Sequence, residues 1–580
     1  MQTLDENLFS SFEPASTHDW EAQILTALKG AEYEKKLVTT TSDGLRRKPY
    51  YRAEDLPSWM HNGDTGLVKR KGRSKTFKIR QDFFVSDPNE TNTLLLTALK
   101  DDLAEFGLQF ANIPSPSDLE KLLKGVWLDA VPIHLNNVDT QMFLEALRVL
   151  GYEPSQLKGT WTGAKSVQTG SISDFPFTGF RTTKLDGHTA REHGATPVLE
   201  LAILLGQLSD ALSVGTPPDK IFLHTGIGSD YFSEIAKLRA LHRLIPQVFD
   251  AYQLPNHEIP TTAFSLVRNK TTRDRHSNLL RMTTESMSAI FGGVDSVSLP
   301  RFDFFHPEES TFSLRLSRNI LHLLRHESHL NRVQDPAAGS YYIEKLTESL
   351  AELAWGLLQE IEAKGGYKEA TDLVSNWIQT ANKKELADVA TGKRVLLGTN
   401  TFPNLIETPV SELVGENGLT WLYDRYREEA TNQNKKLRFS LVRFGPSAMA
   451  TVRGVFASNM VGCAPFPVIE SPLLPDKTAA IAYVTELAKE QKGEVTDFVV
   501  LCSADDEYDA FSPDEIETLK ANACLVLMAG KSTKESEYLA QGVEFIRLGR
   551  GGLPESVIQT DTGTAMLNLS EAVGRWTTSF

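Results

Sequence analysis

From residue 86 to about 385 short β-like runs alternate with longer helical patterns, and this alternation constrains the fold more than any other feature of the chain. Val126-Trp-Leu-Asp-Ala-Val-Pro-Ile133, Lys220-Ile-Phe-Leu-His224 and Ala263-Phe-Ser-Leu-Val267 read as strands, and Thr196-Pro-Val-Leu-Glu-Leu-Ala-Ile-Leu-Leu205 as a helix. Alternation sustained over that length predicts a parallel barrel with helices outside it, a (β/α)8 TIM barrel. Residues 1–85 mix short helical stretches with polar loops and show no sustained strand pattern, which predicts an extended N-terminal arm. Residues 386–436, with Thr401-Phe-Pro403 and the charged helix Trp421–Ala430, read as a connector. Beyond it, Arg438–Arg443, Asp497–Cys502, Cys524–Met528 and Glu544–Arg547 are strand-like and separated by helical patterns, so 437–580 should be a small doubly wound α/β sheet.

Composition excludes several classes. At 580 residues, with 41% hydrophobic and 23% charged residues, the chain is globular and large enough for several domains. A formal charge of −15 repels phosphate backbones and anionic lipid, so neither nucleic acid nor membrane is an expected partner. Cys463, Cys502 and Cys524 are odd in number, widely spaced and set among apolar residues, the pattern of buried thiols in a reducing compartment. With an acidic start and no apolar run long enough to span a bilayer, a cytoplasmic location is expected.

Several motifs carry less than they first offer. Gly159-Thr-Trp-Thr-Gly163-Ala-Lys165-Ser166 lacks the phosphate-loop spacing, because Ala164 separates the second glycine from the lysine. Gly226-Ile-Gly228-Ser-Asp230 offers backbone amides between a strand and a helix, although a tight turn suffices to explain it. Lys69-Arg-Lys-Gly-Arg73 reads as a solvated or partner-facing surface. His322, His326 and His329 recur at helical spacing and would place imidazoles on one face, where zinc is conceivable. Glu327 does not complete an HExxH pattern and Arg325 adds positive charge, so a partly buried or interface stripe is the expectation, with no metal. All thirteen histidines lie at or before His329, so the domain from 437 onward has no imidazole for a metal-centred cofactor. Met449, neutral and soft, is expected as core filler.

The string Arg332-Val-Gln-Asp335-Pro336-Ala-Ala-Gly339-Ser340-Tyr341-Tyr342-Ile-Glu344-Lys-Leu-Thr347 packs a turn, two aromatics and a helix start together. Asp335-Pro336 should leave the helical region, Gly339 permits a positive backbone angle, and Ser340 can cap the following helix. With Gly187-His-Thr-Ala-Arg-Glu192-His-Gly194-Ala-Thr196, Glu234-Ile-Ala-Lys237-Leu-Arg239, Ile79-Arg80-Gln81 and Leu397-Gly398-Thr-Asn400, this string resembles the methylmalonyl-CoA mutase family over almost the whole chain. The resemblance is closest to the small, non-catalytic subunit of its heterodimeric members. It implies an arm, an acyl-CoA mutase-type barrel and a flavodoxin-like, cobalamin-binding-type domain. It also implies the interconversion of methylmalonyl-CoA and succinyl-CoA by adenosylcobalamin radical chemistry.

Against the catalytic pattern of that family, three places differ. Where catalytic relatives carry DxHxxG, with the histidine ligating cobalt, this chain reads Ser447, Met449 and Val452, and Val452 should obstruct the corrin's tail. Asp82 stands where a tyrosine follows the Ile-Arg-Gln pattern, and its carboxylate should repel an acyl-CoA. In the third place, Gly293 replaces a barrel histidine in Phe291-Gly-Gly293-Val-Asp295-Ser296, and Arg191 holds a position usually occupied by glutamine. The expected reading is a structural subunit that binds no cobalamin directly, the cofactor being held by a catalytic large subunit in a heterodimer. The alternatives are a self-sufficient acyl-CoA mutase with atypical cobalamin binding, and a homodimeric acyl-CoA-binding or regulatory protein.

Overall fold

The computed structural model describes residues 15–56, 77–162, 175–306, 311–390, 392–402, 404, 418–421, 423–424, 437–461, 467–490, 496–523 and 525–546. Lys69–Arg73, Lys165, Ser166, Cys463, Cys524 and most of Trp421–Ala430 lie outside the described residues.

The barrel strands are β1 (Lys78–Val85), β2 (Glu105–Phe110), β3 (Ile133–Asn136), β4 (Gly159–Thr162), β5 (Phe180–Arg181 and Thr183–Asp186), β6 (Ile221–Ile227), β7 (Thr261–Ser265) and β8 (Ser296–Ser298). All pairings between them are parallel. The two ends of the sheet are the two halves of β5, separated by Thr182 alone, so the sheet closes on itself as an eight-membered barrel.

Closure begins earlier than the sequence pattern indicated, because β1 lies inside the stretch read as arm. Its residues alternate between two environments. Ile79 and Phe83 join the core between strands and helices, whereas Arg80 and Asp82 point into the barrel, so a polar lumen disguises the strand. A second difference falls at Val126–Ile133, where the chain turns and the strand starts only at Ile133.

The outer layer comprises α1 (Pro88–Lys100), α2 (Pro116–Leu123), α3 (Thr140–Leu150), α4 (Pro197–Ser213), α5 (Tyr231–Ala251), α6 (Ser277–Phe291), α7 (Thr311–His326) and α8 (Tyr341–Ala363), followed by α9 (Thr371–Ala390). Pro197 at the first turn and the Thr196 hydroxyl, which accepts from the Leu199 amide, start α4. That helix is buried nearly all round between α5, α8 and α9.

The Arg332–Thr347 string proves to be an anchor. Arg239 on α5 donates to Asp335 at 3.0 Å and to Glu344 at 2.7 Å, and the Gly339 amide donates to Glu344 at 2.9 Å. Gly339 adopts φ +81°, as its position requires, while Ser340 stands at the N-cap without a side-chain hydrogen bond. Arm residues dock on the same side of the barrel: Asp43 accepts from the Val198 amide, and Arg47 pairs with Asp230 at 2.8 Å.

The second sheet holds β9 (Leu437–Arg443), β10 (Val468–Glu470), β11 (Thr496–Cys502), β12 (Leu525–Ala529) and β13 (Val543–Ile546) in the order β10-β9-β11-β12-β13. This is the flavodoxin-like arrangement, with its switch point between β9 and β11. One face packs on α10 (Ser447–Val461) together with Val389, Leu396, Leu419 and Tyr423, so the connector and the end of α9 share a core with this sheet. The other face packs on α11 (Lys477–Glu490) and α12 (Pro513–Ala521). Asn400 secures the connector, donating to the Val389 and Arg394 carbonyls.

Candidate functional site

In a barrel of this kind chemistry belongs at the carboxyl ends of the strands, and the lumen below decides whether a ligand can enter. Here the lumen holds charged side chains, several of them paired with one another, while Arg80 Nη1, Glu105 Oε1 and His134 Nε2 make no hydrogen bond. The Arg80 guanidinium donates to Asp82 Oδ1 at 2.7 Å and lies 5.1 Å over the Phe264 ring, and Ser298 Oγ donates to Asp82 Oδ2 at 2.6 Å. Burial alone would raise the Asp82 carboxyl, but Arg80 and Ser298 outweigh it and hold it below the usual aspartate range. Gly107 on β2 leaves the room Asp82 needs, since a Cβ there would come within 1.9 Å of Asp82 Oδ1.

A second group lies beside the first. Glu105 sits 3.3 Å from Lys78 Nζ and 3.6 Å from His134 Nε2, and His134 Nδ1 is 2.9 Å from Thr160 Oγ1. Half-buried His224, against Phe264 at 4.7 Å and Phe222 at 5.2 Å, has a buried Nε2 with no hydrogen-bond partner. Burial pushes this imidazole well below the ordinary histidine range.

Arg191 stands at the carboxyl end on the short helix His188–Glu192, where it is committed to protein groups. It donates to Glu234 at 2.6 Å and to the Ala195 carbonyl at 2.6 Å. Lys237 pairs with Glu200 and Glu234, each at 2.6 Å. The Gly226 and Gly228 amides, which the sequence offered to an anion, donate to Glu200 and Glu234 instead. Burial disfavours the Arg191 charge, yet Glu234 and Glu200 hold its pKa above the ordinary arginine value.

Gly293 does not join these residues. It forms the turn after α6 at φ +84°, before β8 begins at Ser296, and therefore lies at the amino end of the barrel. The β8 residue that faces Asp82 is Ser298. Neither Ser298 nor Glu105 and His134 stood out in the sequence, because each sits alone on its own strand and only the register brings them together.

Over the carboxyl end, Glu192 accepts from the amides of Val267 and Arg268, and Arg268 reaches Glu385 on α9 at 2.9 Å. The Leu419 amide donates to the Arg268 carbonyl and Thr272 donates to Asp424, so buried polar contacts tie this end of the barrel to the connector.

On the second sheet, Ser447, Met449 and Val452 lie at the start of α10, with Met449 39% and Val452 56% exposed. Met449 is thus a surface residue and not core filler. A cobalt-centred cofactor does not fit the described residues here. No imidazole is available, the soft donor among Ser447, Met449 and Val452 is an exposed thioether, and Arg453 spans the carboxyl edge to Asp505 at 2.6 Å. That ion pair lies against Gly530, where a Cβ would meet Arg453 at 2.1 Å.

Comparison with known proteins bears directly on this arrangement. Residues 175–420 match the family model described as methylmalonyl-CoA mutase. Over 93% of this chain and 95% of the relative, the chain is 31% identical to a methylmalonyl-CoA mutase small subunit of Porphyromonas gingivalis. The chain belongs to the methylmalonyl-CoA mutase family. Methylmalonyl-CoA mutase small subunits of Streptomyces virginiae and of Propionibacterium freudenreichii subsp. shermanii are 27% and 25% identical, over 93% and 96% of this chain and 96% of each relative. Among the described residues of this family member, no helix is long and apolar enough to cross a membrane.

Proposed function

We propose that this chain is the small subunit of a methylmalonyl-CoA mutase, an isomerase of methylmalonyl-CoA and succinyl-CoA, and that it supports a catalytic large subunit without turnover of its own. The observation that carries the reading is the Arg80–Asp82–Ser298 group, in which Asp82 is committed to its two neighbours where a substrate would need open, responsive polar groups. The poor fit of Ser447, Met449 and Val452 to a cobalt ligand set supports the same conclusion, and adenosylcobalamin would then reside in the large subunit. Gly293, at the amino end of the barrel, lends the reading no weight, while Arg191 is spent on Glu234 and on backbone.

Co-purification of the native protein should recover a larger chain carrying DxHxxG. The purified small chain alone should not convert methylmalonyl-CoA, and Asp82→Asn in the reconstituted complex should leave kcat within about twofold. Turnover by the isolated chain, abolished by Asp82→Asn, would overturn the proposal.

A further inference from the structure

Outside the lumen, α7 carries a second concentration of chemistry on the amino side of the barrel. It follows β8, the last strand, and lies against β1 and the end of α1, so it closes the seam between the last and first barrel units. One face of α7 makes the attachment. Arg318 donates to Gln81 at 2.6 Å and to Asp101 at 2.9 Å, and one turn later His322 and His326 stack with ring centroids 5.9 Å apart. Asp102, in the turn after α1, completes a group in which one ligand atom from each of Asp102, His322 and His326 lies within 4.8 Å of the others.

Three observations make this more than a surface cluster. First, Asp102 adopts φ +58° just past the end of α1, a place where glycine or asparagine usually stops a helix, so the turn itself does not call for a carboxylate. Second, the negative ends of the α1 and α7 dipoles converge here beside Asp101 and Asp102, which favours a cation. Third, the buried Nε2 of His322 has no hydrogen-bond partner, which is uncommon for a buried ring nitrogen. Arg325 lies 5.1 Å over the Phe77 ring, donates to the Phe77 carbonyl, and pairs with Asp102 at 3.6 Å, an ion pair that an entering cation would have to displace. His329 is not part of the group.

We propose that Asp102, His322 and His326 bind a divalent transition-metal ion of the Zn2+ class, and that the ion staples the barrel seam. Two imidazoles at i and i+4 with one carboxylate are a donor set suited to Zn2+, Ni2+ or Co2+. The ligand separation is within a side-chain rotation of the roughly 3.3 Å expected between ligands about a tetrahedral zinc. Asp102 and His326 are exposed, so an ion can enter from solvent and keep water in its remaining positions. Because the ion would bind the folded chain and not the separated segments, it would stabilise by mass action.

The test uses the full-length chain dialysed against EDTA and then titrated with ZnCl2, followed by calorimetry and by the unfolding temperature. One equivalent of Zn2+ should bind and raise the unfolding temperature. His326→Gln, an exposed change that spares the fold, should weaken binding at least tenfold and abolish the rise, and Asp102→Asn should weaken it severalfold. CoCl2 should give visible absorption bands in the parent chain that His326→Gln removes. The proposal is overturned if Zn2+ leaves the unfolding temperature unchanged, or if His326→Gln and Asp102→Asn bind it as the parent does.

Discussion

The barrel lumen and the second sheet treat polarity in opposite ways. The lumen gathers buried Arg80 and Glu105 with half-buried Asp82, His134 and His224, whereas the second sheet has β11, apolar on both faces, and carries Met449 and Val452 exposed on α10. On the proposed reading, loss of a ligand site takes two forms. Where a cavity would run through the centre of a fold, it must be refilled, and charged groups can do so only in pairs. At the edge of a sheet, a ligand residue can be exchanged with little left behind.

The sharpest contrast comes from removing one member of a buried group. Lys237→Met leaves Glu200 and Glu234 sharing Arg191 in a dry site, and should cost about 3 to 5 kcal/mol in denaturant unfolding. Next in size, Asp82→Ala should cost roughly 3 kcal/mol by orphaning Arg80. Gly107→Ala should cost about 1 to 3 kcal/mol by meeting the Asp82 carboxylate. Since that clash requires Asp82, the double variant should be more stable than the sum of the two losses, and simple additivity would contradict the packing described.

Acid should distinguish the two regions as well. Desolvation of its ring holds His224 well below its ordinary pKa, with Arg80, Lys184, His134 and His188 adding repulsion. The folded chain keeps it neutral while the unfolded chain takes up a proton, so stability should fall as pH drops below about 6.5. The slope from this residue is at most about 1.4 kcal/mol per pH unit, and His224→Gln should remove it. The second sheet has no histidine to contribute. At the small end, Met449→Ala and Val452→Ala should each change stability by no more than about 0.5 kcal/mol, because both side chains face solvent.

What could be read in advance follows the same division. Strands with two apolar faces, such as β11 with Phe498–Cys502, announce themselves, and helices with a Thr-Pro start such as α4 do too. Strand β1 escaped notice because its lumen-facing half is Lys78, Arg80 and Asp82, so its alternation resembles a polar loop. Asp82 stood out in the sequence, but its partner Ser298 did not, since Ser298 is unremarkable until the register sets it across from β1. Gly293 was misplaced for a related reason: a glycine pair before a short strand does not reveal at which end of the barrel it turns. Asp102 became a candidate ligand only when closure of the barrel brought α1 against α7.

The central claim is that this chain retains the family's shape without its chemistry, and direct titration of adenosylcobalamin into the isolated chain tests it most plainly. Absorbance should stay that of the free cofactor throughout, with the shift appearing only when the large subunit is present. A ligated, base-off spectrum from this chain alone would contradict the account.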